Sequence, residues 1–132
     1  MKAAFVTAAI GAVMVATSWA QTSGQVISGQ EAADTVVASD VKMTNGKVSA
    51  VLANKSSHAV RDVQLLIRHT WYWNNERHPG PDSPGRTDRF IVQDQIPANG
   101  SLPFTYSGQP LPGRADGHFK TTIEVIGFTQ VG

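Results

Sequence analysis

The 132-residue sequence contains no cysteine. Small domains from oxidising compartments are often held together by disulfide bonds. Since none can form here, we expect the folded chain to be stabilised by core packing alone. The absence also excludes the cysteine-linked lipid anchor of the usual bacterial kind.

Neither sign of charge is in large excess. Eleven lysines and arginines stand against ten acidic residues, which gives a formal net charge of +1. The basic residues form no stripe along the chain, so we expect neither nucleic acid nor an anionic membrane surface as a partner.

Motifs that carry catalysis or bind metals are also missing. There is no Gly-x-Ser-x-Gly string and no glycine-rich phosphate loop leading into a helix. The four histidines, His58, His69, His78 and His118, lack the His-x-His or His-x-x-x-His spacing of metal ligands. We therefore predict no enzyme, no metal and no cofactor. A small metal protein or enzyme centred on His69, His78 and His118 is the least favoured alternative.

A long apolar run occurs only at the amino terminus. Lys2 precedes an uncharged stretch over residues 3–16, and small residues stand at Ser18 and Ala20. This layout predicts a signal peptide over residues 1–20, cleaved after Ala20, and hence a periplasmic or secreted protein. An uncleaved anchor is the alternative. The short basic region, the alanine-rich run and the lack of cysteine favour a bacterial periplasm.

The remaining sequence divides into a polar leader and one domain. Residues 21–35 are predicted to be a flexible leader with one short strand at residues 25–27. From residue 36 to residue 132, short apolar alternations are separated by turn residues, a pattern typical of strands. Strands are predicted over residues 37–43, 47–54, 60–73, 89–95, 101–106 and 118–130. Asn45-Gly46 predicts a tight hairpin turn, and no segment has a convincing helical period.

Six or seven short strands in this order predict an all-β fold, an antiparallel immunoglobulin-like β-sandwich. A closed barrel is the alternative. On the longest predicted strand, period-2 alternation places Val63, Leu65 and Ile67 on the core face, and the same face continues through His69, Trp71 and Trp73.

Three segments resemble the FxLYD-type domains. Residues 48–54 read Val-Ser-Ala-Val-Leu-Ala-Asn, residues 60–65 read Val-Arg-Asp-Val-Gln-Leu, and residues 96–104 read Ile-Pro-Ala-Asn-Gly-Ser-Leu-Pro-Phe. The resemblance spans roughly residues 41–125. It implies an immunoglobulin-like or fibronectin-like sandwich of an exported bacterial protein, a non-catalytic binding or spacer module without catalytic residues.

The most unusual segment spans residues 70–88. Three aromatic residues are followed by a loop of about fifteen residues with three prolines and two glycines, and a loop of that length is often functional. Aromatic faces and forked arginine donors could form a recognition surface. Alternation favours burial of Trp71 and Trp73 and an outward Tyr72. The candidate binding residues are Tyr72, Arg77, His78, Arg86, Trp71 and Trp73.

Two tripeptides match the N-glycosylation sequon, beginning at Asn54 and at Asn99. We interpret both as chance matches located in turns.

Together these features predict an exported, non-catalytic module for protein binding or envelope assembly. The expected partner is another envelope protein or an envelope ligand, bound at the edge strands or at the long loop. The alternative is a module that binds carbohydrate or another envelope ligand through the aromatic loop between Trp71 and Arg86. No membrane insertion is expected after signal cleavage.

Overall fold

The computed structural model describes residues 24–44 and 46–132. The predicted signal peptide, the first leader residues and Asn45 of the predicted hairpin turn lie outside the described residues. The elements are β1 (Gln25–Ser28), α1 (Gly29–Thr35), β2 (Val36–Thr44), β3 (Lys47–Asn54), β4 (Ala59–Trp73), β5 (Arg86–Val92), β6 (Ser101–Ser107) and β7 (Gly117–Val131). Among the described residues, no helix has the length and apolar character needed to cross a bilayer.

The strands form two antiparallel sheets. One sheet has the order β1-β7-β4-β5 and the other the order β2-β3-β6. The prediction of an all-β sandwich is confirmed, because the described strands form two separate sheets rather than one closed barrel. Strands β2 and β3 pair directly through Thr44 and Lys47, as the predicted hairpin requires.

The core lies between the two sheets and follows the predicted alternation. On β4, Val63, Leu65 and Ile67 are each at most 1% exposed, as predicted for the inner face. The facing strand β3 buries Val48 and Leu52 on its own inner face. Hydrophobic burial of this kind contributes about 1.5–3 kcal/mol for each such side chain.

A bulge near the start of β4 changes the alternation once. The register with β7 shifts between Arg61 and Gln64, and Asp62 adopts a positive φ of 51°. As a result Val60 and Val63, three positions apart, are both fully buried. A β-bulge inserts one extra residue into a strand, and this shifts the inward and outward positions beyond it by one.

The segment predicted as a leader contains β1 and α1. The short strand predicted at residues 25–27 is confirmed, and it pairs with β7. The helix α1 was not predicted, because seven residues are too few to show a helical period. Ile27 and Ala32 belong to the hydrophobic core, so residues 24–35 pack with the domain that the sequence predicts to begin at Val36.

Strand β5 begins three residues earlier than predicted and ends three residues earlier. Its first half carries Arg86 and Asp88, two charged residues that face inward. In the sequence, charged residues at these positions favour a loop over a strand. Pairing with β4 sets their place, since Arg86 lies opposite His69 and Asp88 lies opposite Ile67. The connection from β4 to β5 therefore spans residues 74–85.

Candidate functional site

The three aromatic residues at the end of β4 point to opposite faces of the sheet. Trp71 is 8% exposed and Trp73 is half-buried, whereas Tyr72 is 41% exposed on the outer face. The rings of Trp71 and Trp73 pack edge to face with centroids 5.6 Å apart. Trp71 also packs against Phe119 of β7 at 4.8 Å. The tryptophans therefore extend the inner face, as alternation predicts.

Gly117 lets Trp71 lie directly against the backbone of β7. A Cβ at this position would overlap the six-membered ring of Trp71 and the carbonyl oxygen of Tyr72. The indole Nε1 of Trp71 is buried and has no hydrogen-bond partner among the described residues. Ring packing, rather than a hydrogen bond, thus holds this side chain.

Both tryptophan rings contact the guanidinium group of Arg114. Its Cζ lies 5.3 Å from the ring centroid of Trp71 and 5.2 Å from that of Trp73. Arg114 donates to the Asp116 carboxylate over 2.6 and 3.0 Å, and to the carbonyl of Asp82 over 2.9 Å. The hydrogen bond with Asp116 raises the pKa of Arg114 and lowers the pKa of Asp116.

Arg114 joins the two long connections of the fold, residues 74–85 and residues 108–116. Asn74 adds a second link, because its backbone N–H donates to the carbonyl of Asp116 and its side chain donates to that of Ala115. We call this arrangement of Arg114 on two tryptophans the arginine clasp. Arg114 thus occupies one face of each tryptophan ring.

Arg77 and His78 lie in the exposed 74–85 connection. Their backbone N–H groups donate to Asn75, which forms a local turn. Tyr72 lies on the other side of the sheet, where its ring stacks on His118 with centroids 5.5 Å apart and planes 20° apart. The structure therefore does not bring the predicted site residues together on one surface.

Arg86 is used within the protein. It forms an ion pair with Asp88 at 3.2 Å and donates to the backbone carbonyls of Gln109 and Pro110. These contacts hold the 108–116 connection beside the first half of β5. A side chain with three internal partners has few donors left for a ligand.

Behind Arg86 lies a partly buried polar cluster around His69, which is itself buried. Its Nδ1 lies 2.9 Å from the Thr121 hydroxyl, and its Nε2 lies 3.7 Å from the Asp88 carboxylate. The hydroxyl of Tyr106, from the opposite sheet, donates to the same carboxylate over 3.4 Å. Burial lowers the pKa of His69 below 6.5, and Arg86 lowers it further, while Asp88 opposes the shift.

A hydroxyl, an imidazole and a carboxylate in contact suggest hydrolytic chemistry, but the imidazole, which would act as the base, is enclosed. The His69 side chain is 1% exposed and lies on the inner face of its sheet. A nucleophile–base pair has to reach the reacting carbon of a substrate. The described residues also contain no group of three or more candidate metal ligands.

Among the described residues, four strands lie at sheet edges, and they differ in how open they are to pairing. Unpaired edges invite strand addition, and natural proteins usually block them. Strand β1 has four residues, β2 has a bulge at Asp40 with a φ of 54°, and β6 contains Pro103. A proline in an edge strand removes an N–H group on the side that faces solvent.

The second half of β5 differs from the other edges. Its pairing with β4 is regular along its whole length, and residues 89–92 contain no proline. Ile91 is 51% exposed, one of three large hydrophobic residues that are exposed among the described residues, with Val26 and Tyr72. This part of β5 is therefore the edge in the described chain that is best suited to pair with another strand.

A cleft of about 500 Å³ opens beside this edge, between β5 and β6, which are edge strands of different sheets. Its lining residues are Phe90, Ile91, Val92, Gln93, Asp94, Pro103, Phe104 and Thr105. The rings of Phe90 and Phe104, one from each sheet, stack at 6.3 Å. Both are only half-buried, because none of the described strands covers this side of the sandwich.

The comparisons with known proteins add no family to this picture. No family model, no curated protein and no solved structure matches the chain. The resemblance to FxLYD-type domains therefore stays a prediction.

Reasoning from the sequence missed the arginine clasp, the cluster around His69 and the β5 edge. The aromatic residues that Arg114 contacts lie some forty residues earlier in the chain, and no short-range pattern joins them. The open edge depends on the strand order, which the alternation of a strand does not reveal. The one local signal was Ile91, an apolar residue between Arg89 and Gln93 on the outward face of β5.

Proposed function

We propose that the protein is an exported, non-catalytic module that binds an extended segment of another envelope protein as an additional strand on β5. The observation that carries this proposal is the edge at residues 89–92, which is regular, lacks proline and displays Ile91. Main-chain hydrogen bonds supply affinity in such strand addition, and side-chain pockets supply selectivity. The cleft beside β5 provides such a pocket.

We further propose that the sandwich is immunoglobulin-like. The sheet order β2-β3-β6 corresponds to strands A, B and E of that fold, and the order β7-β4-β5 corresponds to F, C and C′. Strand β1 then takes the edge position beside β7 that strand G has in immunoglobulin domains. The β5 and β6 edges are left side by side, because no described strand pairs with the outer edge of C′ or of E.

The geometry gives less support to a module that binds carbohydrate through the aromatic loop. Stacking on a sugar needs an accessible aromatic face, but Arg114 lies over one face of each tryptophan and Phe119 packs against Trp71. Tyr72 is 41% exposed on the outer face, and one side of its ring is stacked on His118.

The test uses an array of overlapping peptides from the exported proteins of the producing cell. The most tightly bound peptide is then N-methylated at alternate backbone amides, in two complementary sets. Only one side of an added strand faces β5, so we expect one set to abolish binding and the other to leave it nearly unchanged. Equal effects of both sets would contradict strand addition.

Two protein variants locate the site. Ile91→Lys places a strand-blocking lysine on the proposed edge, and we expect it to weaken peptide binding about tenfold or more. Val26→Lys is the matched control, since Val26 is 69% exposed on the β1 edge. Equal loss of binding in both variants would place the site elsewhere. A concentration-dependent dimer whose formation competes with the peptide would instead identify a second copy as the occupant.

A further inference from the structure

We infer that the β5 edge selects segments in which a basic residue is followed, at two-residue intervals, by two apolar residues. This inference rests on the proposed strand addition and names the side chains that the added strand carries. It derives from the residues of the cleft and from their spacing along β5.

Residues on one face of a strand recur at every second position. In the second half of β5, the inward positions that line the cleft are Phe90 and Val92, and Asp94 lines it two positions beyond the last residue of the strand. A strand paired with β5 places two inward side chains beside Phe90 and Val92, about 6.7 Å apart as alternate residues of a strand are. Continued past the end of β5, the same strand places its next inward side chain beside Asp94. We call these three positions the levels of the cleft.

The first two levels are apolar. Phe90 stacks on Phe104 at 6.3 Å and contacts the ring of Tyr106 at 4.9 Å, while Val92 belongs to the buried core. An apolar side chain inserted here would cover the half-buried phenyl rings and remove their exposed faces from water. A volume of about 500 Å³ lies within the range of roughly 300–1,000 Å³ that is usual for ligand pockets.

The third level is acidic. Asp94 is exposed and is the one charged residue that lines the cleft. A lysine or arginine at this level of the added strand would pair with the carboxylate at the rim. An acidic residue at the same level would be repelled.

Strand direction fixes the order of these residues. All strand pairs in the two sheets are antiparallel, and antiparallel pairing is slightly the more stable arrangement per residue. An antiparallel strand meets the Asp94 level first and the Phe90 level last. The recognised segment therefore reads basic-x-apolar-x-apolar from its amino terminus.

The probe is the capped synthetic peptide Thr-Lys-Thr-Val-Thr-Phe-Thr, whose threonines favour an extended conformation. We expect it to bind the protein without its signal segment, and we expect exchange of its lysine for glutamate to weaken binding about fivefold to tenfold. Exchange of its phenylalanine for serine should weaken binding at least as much, because the aromatic contact in the cleft is lost.

The decisive comparison is a charge swap. In the variant Asp94→Lys the preference should reverse, so that the glutamate peptide binds more tightly than the lysine peptide. Glu76→Lys, an exposed change of the same charge in the 74–85 connection, should leave the original preference unchanged. Reversal in Asp94→Lys alone supports the inference.

The outcomes separate this inference from the proposed function. In one outcome, methylation of one set of backbone amides abolishes binding, but Asp94→Lys and the phenylalanine exchange have no effect. This result would overturn the selectivity and leave strand addition intact. Absence of binding by the probe and by every peptide of the array would overturn both.

Discussion

Asn54 shows how one buried polar residue can organise several turns. It is 2% exposed, and its amide nitrogen lies 2.8, 3.2 and 3.0 Å from the carbonyl oxygens of His58, Ile96 and Pro97. Its side-chain oxygen accepts from the backbone N–H and the hydroxyl of Ser56. The nitrogen that a glycan would modify is thus enclosed in the folded protein, in agreement with a chance sequon.

Replacing Asn54 should destabilise the fold strongly. Asn54→Ala leaves buried carbonyl groups without a donor, and we expect the free energy of unfolding to fall by about 2–4 kcal/mol. Urea denaturation followed by circular dichroism measures this loss. Asn99→Ala is a poor control because Asn99 has a positive φ, so Asn75→Ala in the exposed connection serves instead. A loss below that of Asn75→Ala would contradict the structural role.

His69 makes the stability depend on pH. Its pKa is lower in the folded protein than the ordinary value of 6.5, because burial and Arg86 disfavour the charged form. Below about pH 6.5 the unfolded chain therefore binds more protons at this residue, and stability falls as the pH decreases. One proton accounts for at most about 1.4 kcal/mol per pH unit.

Urea denaturation at about pH 7.5 and about pH 5.5 tests this dependence. We expect His69→Gln to reduce the loss of stability between the two conditions, while the exposed change His78→Gln leaves it as in the wild type. A pH dependence that is identical in both variants would show that His69 does not titrate as the structure implies.

At the scale of single elements, strand positions follow from alternation. Strand β3 matches its predicted bounds, β4 begins one residue earlier than predicted, and β7 extends one residue further at each end. The predicted start of β5 was wrong, because the inward positions of its first half hold the charged residues Arg86 and Asp88 and not apolar residues. The burial of Trp71 followed from period 2, whereas its contact with Arg114 depends on how two distant connections meet.

The arginine clasp should hold the two long connections in place. In Arg114→Ala the tryptophan rings lose their guanidinium partner, so we expect a red shift of tryptophan emission and a weaker near-ultraviolet circular dichroism signal. Limited proteolysis should cleave the 74–85 connection faster. Because lysine cannot reproduce the forked pairing with Asp116, Arg114→Lys should show an intermediate effect. If the spectra and the proteolysis rate of Arg114→Ala equal those of the wild type, this role is contradicted.

For the molecule as a whole, the sandwich follows from the sequence but its open side does not. Alternation predicts which residues face inward, and turn residues predict where strands end. The pairing order decides which strands become edges, and only the assembled sheets place the β5 and β6 edges together. The six candidate binding residues predicted around Trp71 lie on two faces of a sheet and in the 74–85 connection. The residues of the cleft were not predicted as a site.

Export is a prediction for the whole molecule as well. The amino-terminal layout predicts that the mature protein begins at Gln21. We expect mass spectrometry of the protein from the periplasmic fraction to give that amino terminus. Full-length protein confined to the cytosol would contradict export and, with it, the choice of an envelope partner.

The central claim is that a partner strand pairs with β5, and amide hydrogen exchange tests it most directly. Exchange is followed by NMR with and without the most tightly bound peptide of the array. We predict that alternate amides within residues 89–92, those not bonded to β4, exchange about tenfold or more slowly at saturation, while the amides of the β2 edge are unchanged. Protection confined to β1, β2 or the 74–85 connection, or no protection on β5, would contradict the claim.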